Sequence, residues 1–167
     1  MTRRSRAREV ALQLLFQRDA NPDVTRPPIE RFARDRLSHP EAEAFCLGLY
    51  DGVVRHLADI DARVTAASEN WKLQRMAASD RNVLRLGTFE IGFADPPTPG
   101  PVALDEAIEL ARRYGSKDSA AFVNGVLDKV FRVHTEQQKP VPSPQSPVPS
   151  PEAARALADT ATPGESA

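Results

Sequence analysis

Apolar residues recur every three or four positions through most of the first 138 residues, the spacing of helices that each bury one face. Ala7, Val10, Ala11, Leu14 and Leu15 set out a first helix, and Asn21–Pro22–Asp23 with Pro27–Pro28 mark the loop after it. Ile29 to Leu37 can form a short second helix. Ser38, followed three residues on by Glu41 with Pro40 between them, is a helix-start signature. The third helix is expected from about Pro40, with Phe45, Gly48, Leu49, Gly52, Val53 and His56 on one face and its two glycines open to close approach by another helix. A fourth helix covers Ala58 to Ser68 with Ile60 and Val64 inward, and Trp71, Leu73 and Met76 then anchor the junction, Trp71 in core or interface. Ser79 or Asp80 can cap a fifth helix through Val83, Leu84, Gly87 and Ile91. It stops before the proline-rich run Asp95 to Pro101. The sixth places Leu104, Ala107, Ile108 and Ala111 on one stripe and ends at Arg112–Arg113–Tyr114–Gly115, where a glycine suits a left-handed cap. The seventh opens between Ser116 and Ser119 and packs Val123, Val126, Leu127, Val130 and Phe131. No alternating strand pattern intervenes, so the fold class is all-α, a compact bundle of about seven helices.

After Lys139 the pattern ends. Seven of the fifteen prolines fall there, and Ser, Gln and Val between them offer too little apolar area to offset ordering entropy. The chain therefore divides into a helical domain, 1–138, and a disordered Pro/Ser-rich tail, 139–167. A short helix at Glu152–Asp159 and a PxxP-type segment at Pro144–Pro147 are both compatible with that tail.

Charge adds a direction. The formal net charge is only −1, yet the first eighteen residues hold five arginines (Arg3, Arg4, Arg6, Arg8, Arg18) against Glu9, while residues 30–69 hold five bases against eight acids. A cationic helix entrance implies an anionic partner, and guanidinium groups suit phosphate because they donate paired hydrogen bonds and stay charged. Nucleic acid is the leading ligand class. The near-neutral total argues for local binding rather than indiscriminate coating.

Catalytic and metal chemistry find little support. His39, His56 and His134 lack metal-ligand spacing, no Gly-rich phosphate loop or nucleophile elbow occurs, and no cofactor is implied. The acid pairs Asp59–Asp61 and Asp105–Glu106 sit at helix starts, where they complement the dipole. Cys46, the sole cysteine, is expected buried and inert, which fits a reducing cytoplasm. No secretory signal or membrane-length apolar run appears. Phe122 is unusual: it lies one position off the inward stripe of the seventh helix, five residues after Lys117. It can stack an unpaired base while the cation and free amides meet phosphate, or it can pack at the edge of the core. Asn124–Gly125 reads as a site of close helix packing.

Three separated segments carry a resemblance. Arg6–Ala7–Arg8–Glu9 with Ala11–Leu12–Gln13, Val83–Leu84–Arg85 with Phe89–Glu90, and Glu106 to Ala111 continuing through Tyr114–Gly115, Asp118–Ser119 and Phe122 to Lys129 resemble the NusB family of transcription antitermination factors over about residues 3–132. The resemblance implies an all-helical fold of two small subdomains and a non-enzymatic factor. It further implies binding of single-stranded boxA RNA together with NusE, a small-subunit ribosomal protein, in a complex on RNA polymerase that suppresses premature termination in ribosomal RNA operons. It assigns RNA contact to Arg3, Arg4, Arg6, Arg8, Asp118 and Phe122, to which the residue reading adds Lys117, and places Phe16, Asp80 and Arg85 near the NusE surface. Some members of the family form homodimers and others are monomers. Two other functions fit the residues themselves: a helical protein-interaction module whose arginines meet an acidic partner, and an accessory subunit of an RNA-modifying enzyme.

Overall fold

The computed structural model describes residues 1–69 and 71–142. Pro144–Pro147 and Glu152–Asp159 lie outside the described residues. Seven helices, α1 (Arg3–Ala20), α2 (Arg26–Arg36), α3 (Pro40–Arg55), α4 (Leu57–Ala67), α5 (Ala78–Gly92), α6 (Gly100–Tyr114) and α7 (Ser119–Gln137), account for most of them, with a 3-10 turn at Leu73–Arg75. Helices α1 to α3 pack on one another as a first subdomain, and α4 to α7 form a second. The two share a core along α1, α3 and α5. Among the described residues, no helix is long and apolar enough to cross a membrane.

The expected stripes become the core. Ala7, Val10, Ala11, Leu14 and Leu15 of α1, Ile60 and Val64 of α4, and Val123, Val126, Leu127 and Val130 of α7 are all buried. Thr2 caps α1 by accepting the Ser5 amide at 3.0 Å, satisfying one of the donors that a helix start leaves free. Prolines occupy the first turn of α2, α3 and α6, where a missing N–H costs nothing. Helix α5 is the axis of the bundle, buried on every side from Asn82 to Ile91. Cys46 is buried as expected, and burial, reinforced by Glu43 and Asp51, pushes its thiol pKa up to about 12, which leaves it unreactive.

Local details depart from the sequence reading. His39, not Ser38, precedes α3 without a side-chain cap, and Ser79 and Asp80 fall inside the first turn of α5, which starts after Ala77. Gly115 closes α6 in an extended conformation (φ −97°, ψ −170°) rather than a left-handed one. It is glycine because a Cβ there would stand 2.3 Å from the Ser119 hydroxyl oxygen. Trp71 is not in the core: it is 53% exposed, while Met76 supplies the buried anchor.

Candidate nucleic-acid interface

Helix α1 carries the arginines, so its placement decides where they point. Arg8, expected at the surface, is 3% exposed. Its guanidinium donates to both carboxylate oxygens of buried Glu90 on α5, at 2.7 to 3.0 Å, and lies 3.7 Å from Glu106 of α6 and over the Phe45 ring. Thr98 also donates to Glu90, at 2.9 Å. These contacts commit the Arg8 donors, so the phosphate-contact expectation is corrected for Arg8: it fixes α1 against the second subdomain.

Further ties repeat this arrangement. The Ser5 hydroxyl donates to Glu106 at 2.7 Å, and Asp19 accepts from Arg81 and Asn82 at 3.0 and 2.9 Å. Arg85 is buried, forked onto Asp61 of α4 at 2.8 and 2.9 Å and reaching Asp19 at 3.4 Å. The expectation that Arg85 meets a partner protein is therefore corrected as well, because its donors are used inside the fold. Of the acids expected to complement helix dipoles, only Asp59 lies in a first turn; Asp61, Asp105 and Glu106 fall further along α4 and α6, where Asp61 and Glu106 serve these ties instead.

Glu9, 5% exposed, accepts from Arg6 of α1 and from Tyr114 and Arg113 at the end of α6. Burial works to raise its pKa, but the hydrogen bonds from Tyr114, Arg6 and Arg113 outweigh that and hold it below the usual value. Asp19 is lowered in the same manner, burial being outweighed by Arg81 and Asn82 with help from Arg85. Lowered carboxylates stabilise the fold fully above their unfolded pKa, near 4, and that contribution is lost as pH falls through the lower folded values. We expect thermal stability to fall below about pH 4, and Tyr114→Phe, which removes one donor to Glu9, to be less stable than wild type at neutral pH by a margin that narrows on acidification. Melting curves between about pH 3 and 7 check this; a margin constant with pH would contradict it.

With α1 so held, Arg3 and Arg4 project from its start and Arg6 stays half-exposed. Positive charge in the first turn of a helix opposes the macrodipole, and no acid sits there to relieve it. Glu9 pairs with Arg6, but Arg3 and Arg4 make no ion pair among the described residues, and an incoming anion would relieve them. Arg3 and Arg6 line a cleft of about 220 Å³ with Arg36 and His39 from the α2–α3 junction. Nothing in the sequence joins Arg36 and His39 to this arginine cluster, since more than thirty residues separate them from Arg3 and no spacing rule connects them.

The second predicted patch is reached through α6. Arg113 contacts Glu9, and the turn after Tyr114 leads to exposed Lys117 and Asp118 and to half-buried Phe122. Asp118 precedes α7 without capping it, so its carboxylate remains open. Gly125, expected beneath a neighbouring helix, is exposed, and a Cβ there would meet nothing within 4 Å. Asp118, Ala121, Phe122 and Gly125 follow the i, i+3, i+4, i+7 pattern and share one face. That face offers an aromatic edge beside bare backbone.

Of the residues linked with a protein partner, Phe16 is 51% exposed and lines a groove of about 500 Å³ with Gln13, Phe32, Arg36, Ser79 and Tyr114. Asp80 adjoins it on α5, half-buried, with its Oδ1 buried and unpartnered among the described residues. Asp80 follows Ser79, which lines the Phe16 groove.

Comparison with known proteins agrees with this architecture. The sequence pattern of the NusB family matches residues 5–132. The transcription antitermination protein NusB of Sorangium cellulosum is 47% identical over 130 residues, covering 78% of this chain and 92% of that protein. The solved structure of T. maritima NusB superposes with a TM-score of 0.71 at 34% identity, covering 83% of this chain and 96% of the other. A structure of antitermination factors NusB and NusE in complex with dsRNA shares the fold, with a TM-score of 0.71 at 24% identity over 80% of this chain and 98% of the other. With the sequence pattern spanning both subdomains and this identity to a named antitermination protein, the chain belongs to the NusB family of transcription antitermination factors.

Proposed function

We propose that the chain binds boxA-type single-stranded RNA together with NusE and so supports processive transcription of ribosomal RNA operons as part of an antitermination complex on RNA polymerase. The observation that carries this reading is the start of α1: three arginines placed against the helix dipole on a helix locked from beneath by buried ion pairs. Arg3, Arg4 and Arg6 supply the phosphate contacts, with Arg36 as an addition. Lys117 and Asp118 flank Phe122, whose ring stacks a splayed base. Phe16 and Asp80 bound the NusE surface, and the presence of NusE beside NusB in a protein of the same fold supports that partner. So small a footprint binds RNA modestly alone, and a second protein holding adjacent nucleotides raises affinity by sharing the orientational cost. A homodimer that covers the arginines would compete with RNA.

Anisotropy of labelled boxA RNA, with a base-scrambled control and with or without NusE, tests the reading. Selective binding strengthened by NusE is expected. Equal binding of both RNAs with no gain from NusE would favour a protein-docking module. A triple Arg3→Ala, Arg4→Ala, Arg6→Ala variant should also lose about 2 from the logarithmic salt slope, since each single-strand phosphate contact contributes roughly 0.7. An unchanged slope would remove these residues from the phosphate path.

A further inference from the structure

A second groove, of about 680 Å³, runs between α3 and the Ala94–Pro99 loop and opens at the start of α1. It is lined by exposed Ala44 and Gly48 and by Phe45 of α3, by Pro96 and Pro97 of the loop, and by Arg4 and Arg8 of α1. The loop is anchored, because Thr98 bonds Glu90 through both its hydroxyl (2.9 Å) and its amide (3.1 Å).

Two features of this groove are unexplained by folding. Gly48 sits inside a helix, where glycine costs about 1 kcal/mol relative to alanine, yet a Cβ there would meet nothing within 4 Å. Gly52, one turn on, is different: the Phe89 ring fills the space its Cβ would need, at 2.1 to 2.9 Å. Sequence reading gave both glycines the same packing role, and only Gly52 has it. The other feature is Arg4, which lies 5.1 Å over the Phe45 ring and makes no ion pair among the described residues.

We propose that this groove holds one nucleotide flanking the boxA element, an inference that rests on the RNA-binding reading above. The groove is continuous with the Arg3–Arg6 end of α1, and its volume falls within the range of small-molecule sites. Its charges set the orientation. Arg4 at the mouth takes the phosphate, and the Phe45 edge and the proline rings give the base an apolar slot. Glu106 and Asp95, which also line the groove, repel a phosphate and accept N–H groups, so the base lies inward and bases with an exocyclic amino group are favoured. Bare backbone at Gly48 leaves room for the ring.

The test compares wild type with Gly48→Leu, full chain in both cases, by anisotropy with a core boxA RNA and with RNAs lengthened by two nucleotides at either end. Wild type should gain about fivefold or more from lengthening at one end. Gly48→Leu should bind the core RNA as wild type does, lose that gain, and melt no lower. No gain in wild type, or a gain retained in Gly48→Leu, overturns the proposal while the antitermination reading stands. Failure of wild type to bind even the core RNA overturns both.

Discussion

Replacing Glu90 by alanine is expected to destabilise the protein by about 3–5 kcal/mol, because it strands the buried guanidinium of Arg8 without its counter-charge. Both side chains are nearly inaccessible to water, and three short hydrogen bonds join them, so no solvent replaces the lost carboxylate. Against a domain stability of about 5–15 kcal/mol, that leaves little folded protein under mild denaturant. The paired variant Arg8→Met with Glu90→Leu should recover most of the loss, since it removes both charges and refills the space. Urea unfolding of the single and paired variants tests this, and a loss under about 1 kcal/mol for Glu90→Ala would mean that the pair is open to water. The paired variant also separates support from contact. It should keep the wild-type salt slope for RNA, whereas a drop comparable to that of the Arg3, Arg4 and Arg6 variant would return Arg8 to the phosphate path.

Phe122→Ala is expected to weaken RNA binding by about 1–3 kcal/mol, the cost of losing one base–aromatic stack. Alanine alone is an ambiguous probe, because half of the ring packs on the core and its removal also leaves a void. Phe122→Leu resolves this. Leucine keeps the apolar contact beneath but presents no flat face, so melting should stay near wild type while RNA affinity falls almost as far as in the alanine variant. Wild-type affinity in Phe122→Leu would assign the ring to the core edge, the other role its position one step off the inward stripe allows.

The helices were legible because their stripes are regular. The observed boundaries of α4 differ from the periodic reading by one residue at each end, α7 opens at Ser119 within the expected span, and the residues named as inward in α1, α4 and α7 are nearly all buried. What periodicity could not resolve was charge turned inward. Arg8 looked like a member of an arginine cluster because its neighbours in sequence are exposed arginines, but its partner is 82 positions away. A signal existed in α5, where Arg85 and Glu90 are isolated charges in the otherwise apolar run from Val83 to Ile91. Charges so placed must be paired, and the basic one needed an acid and the acidic one a base. Which acid and which base depended on how helices cross, and that is tertiary information. The exposed glycines failed for the opposite reason: Gly48 and Gly125 read as packing residues, since nothing in a sequence distinguishes a glycine under a neighbouring helix from one facing open space.

In the proposed function, α1's exposed arginines and the Phe122 face together receive RNA, and the ion pairs beneath only hold them in place. Backbone amide shifts of labelled protein titrated with boxA RNA test it most directly. The largest changes are expected at residues 2–6, around Arg36 and His39, and at 117–125. Changes centred instead on the α4–α7 cleft lined by Arg63 and Val133 would overturn that assignment.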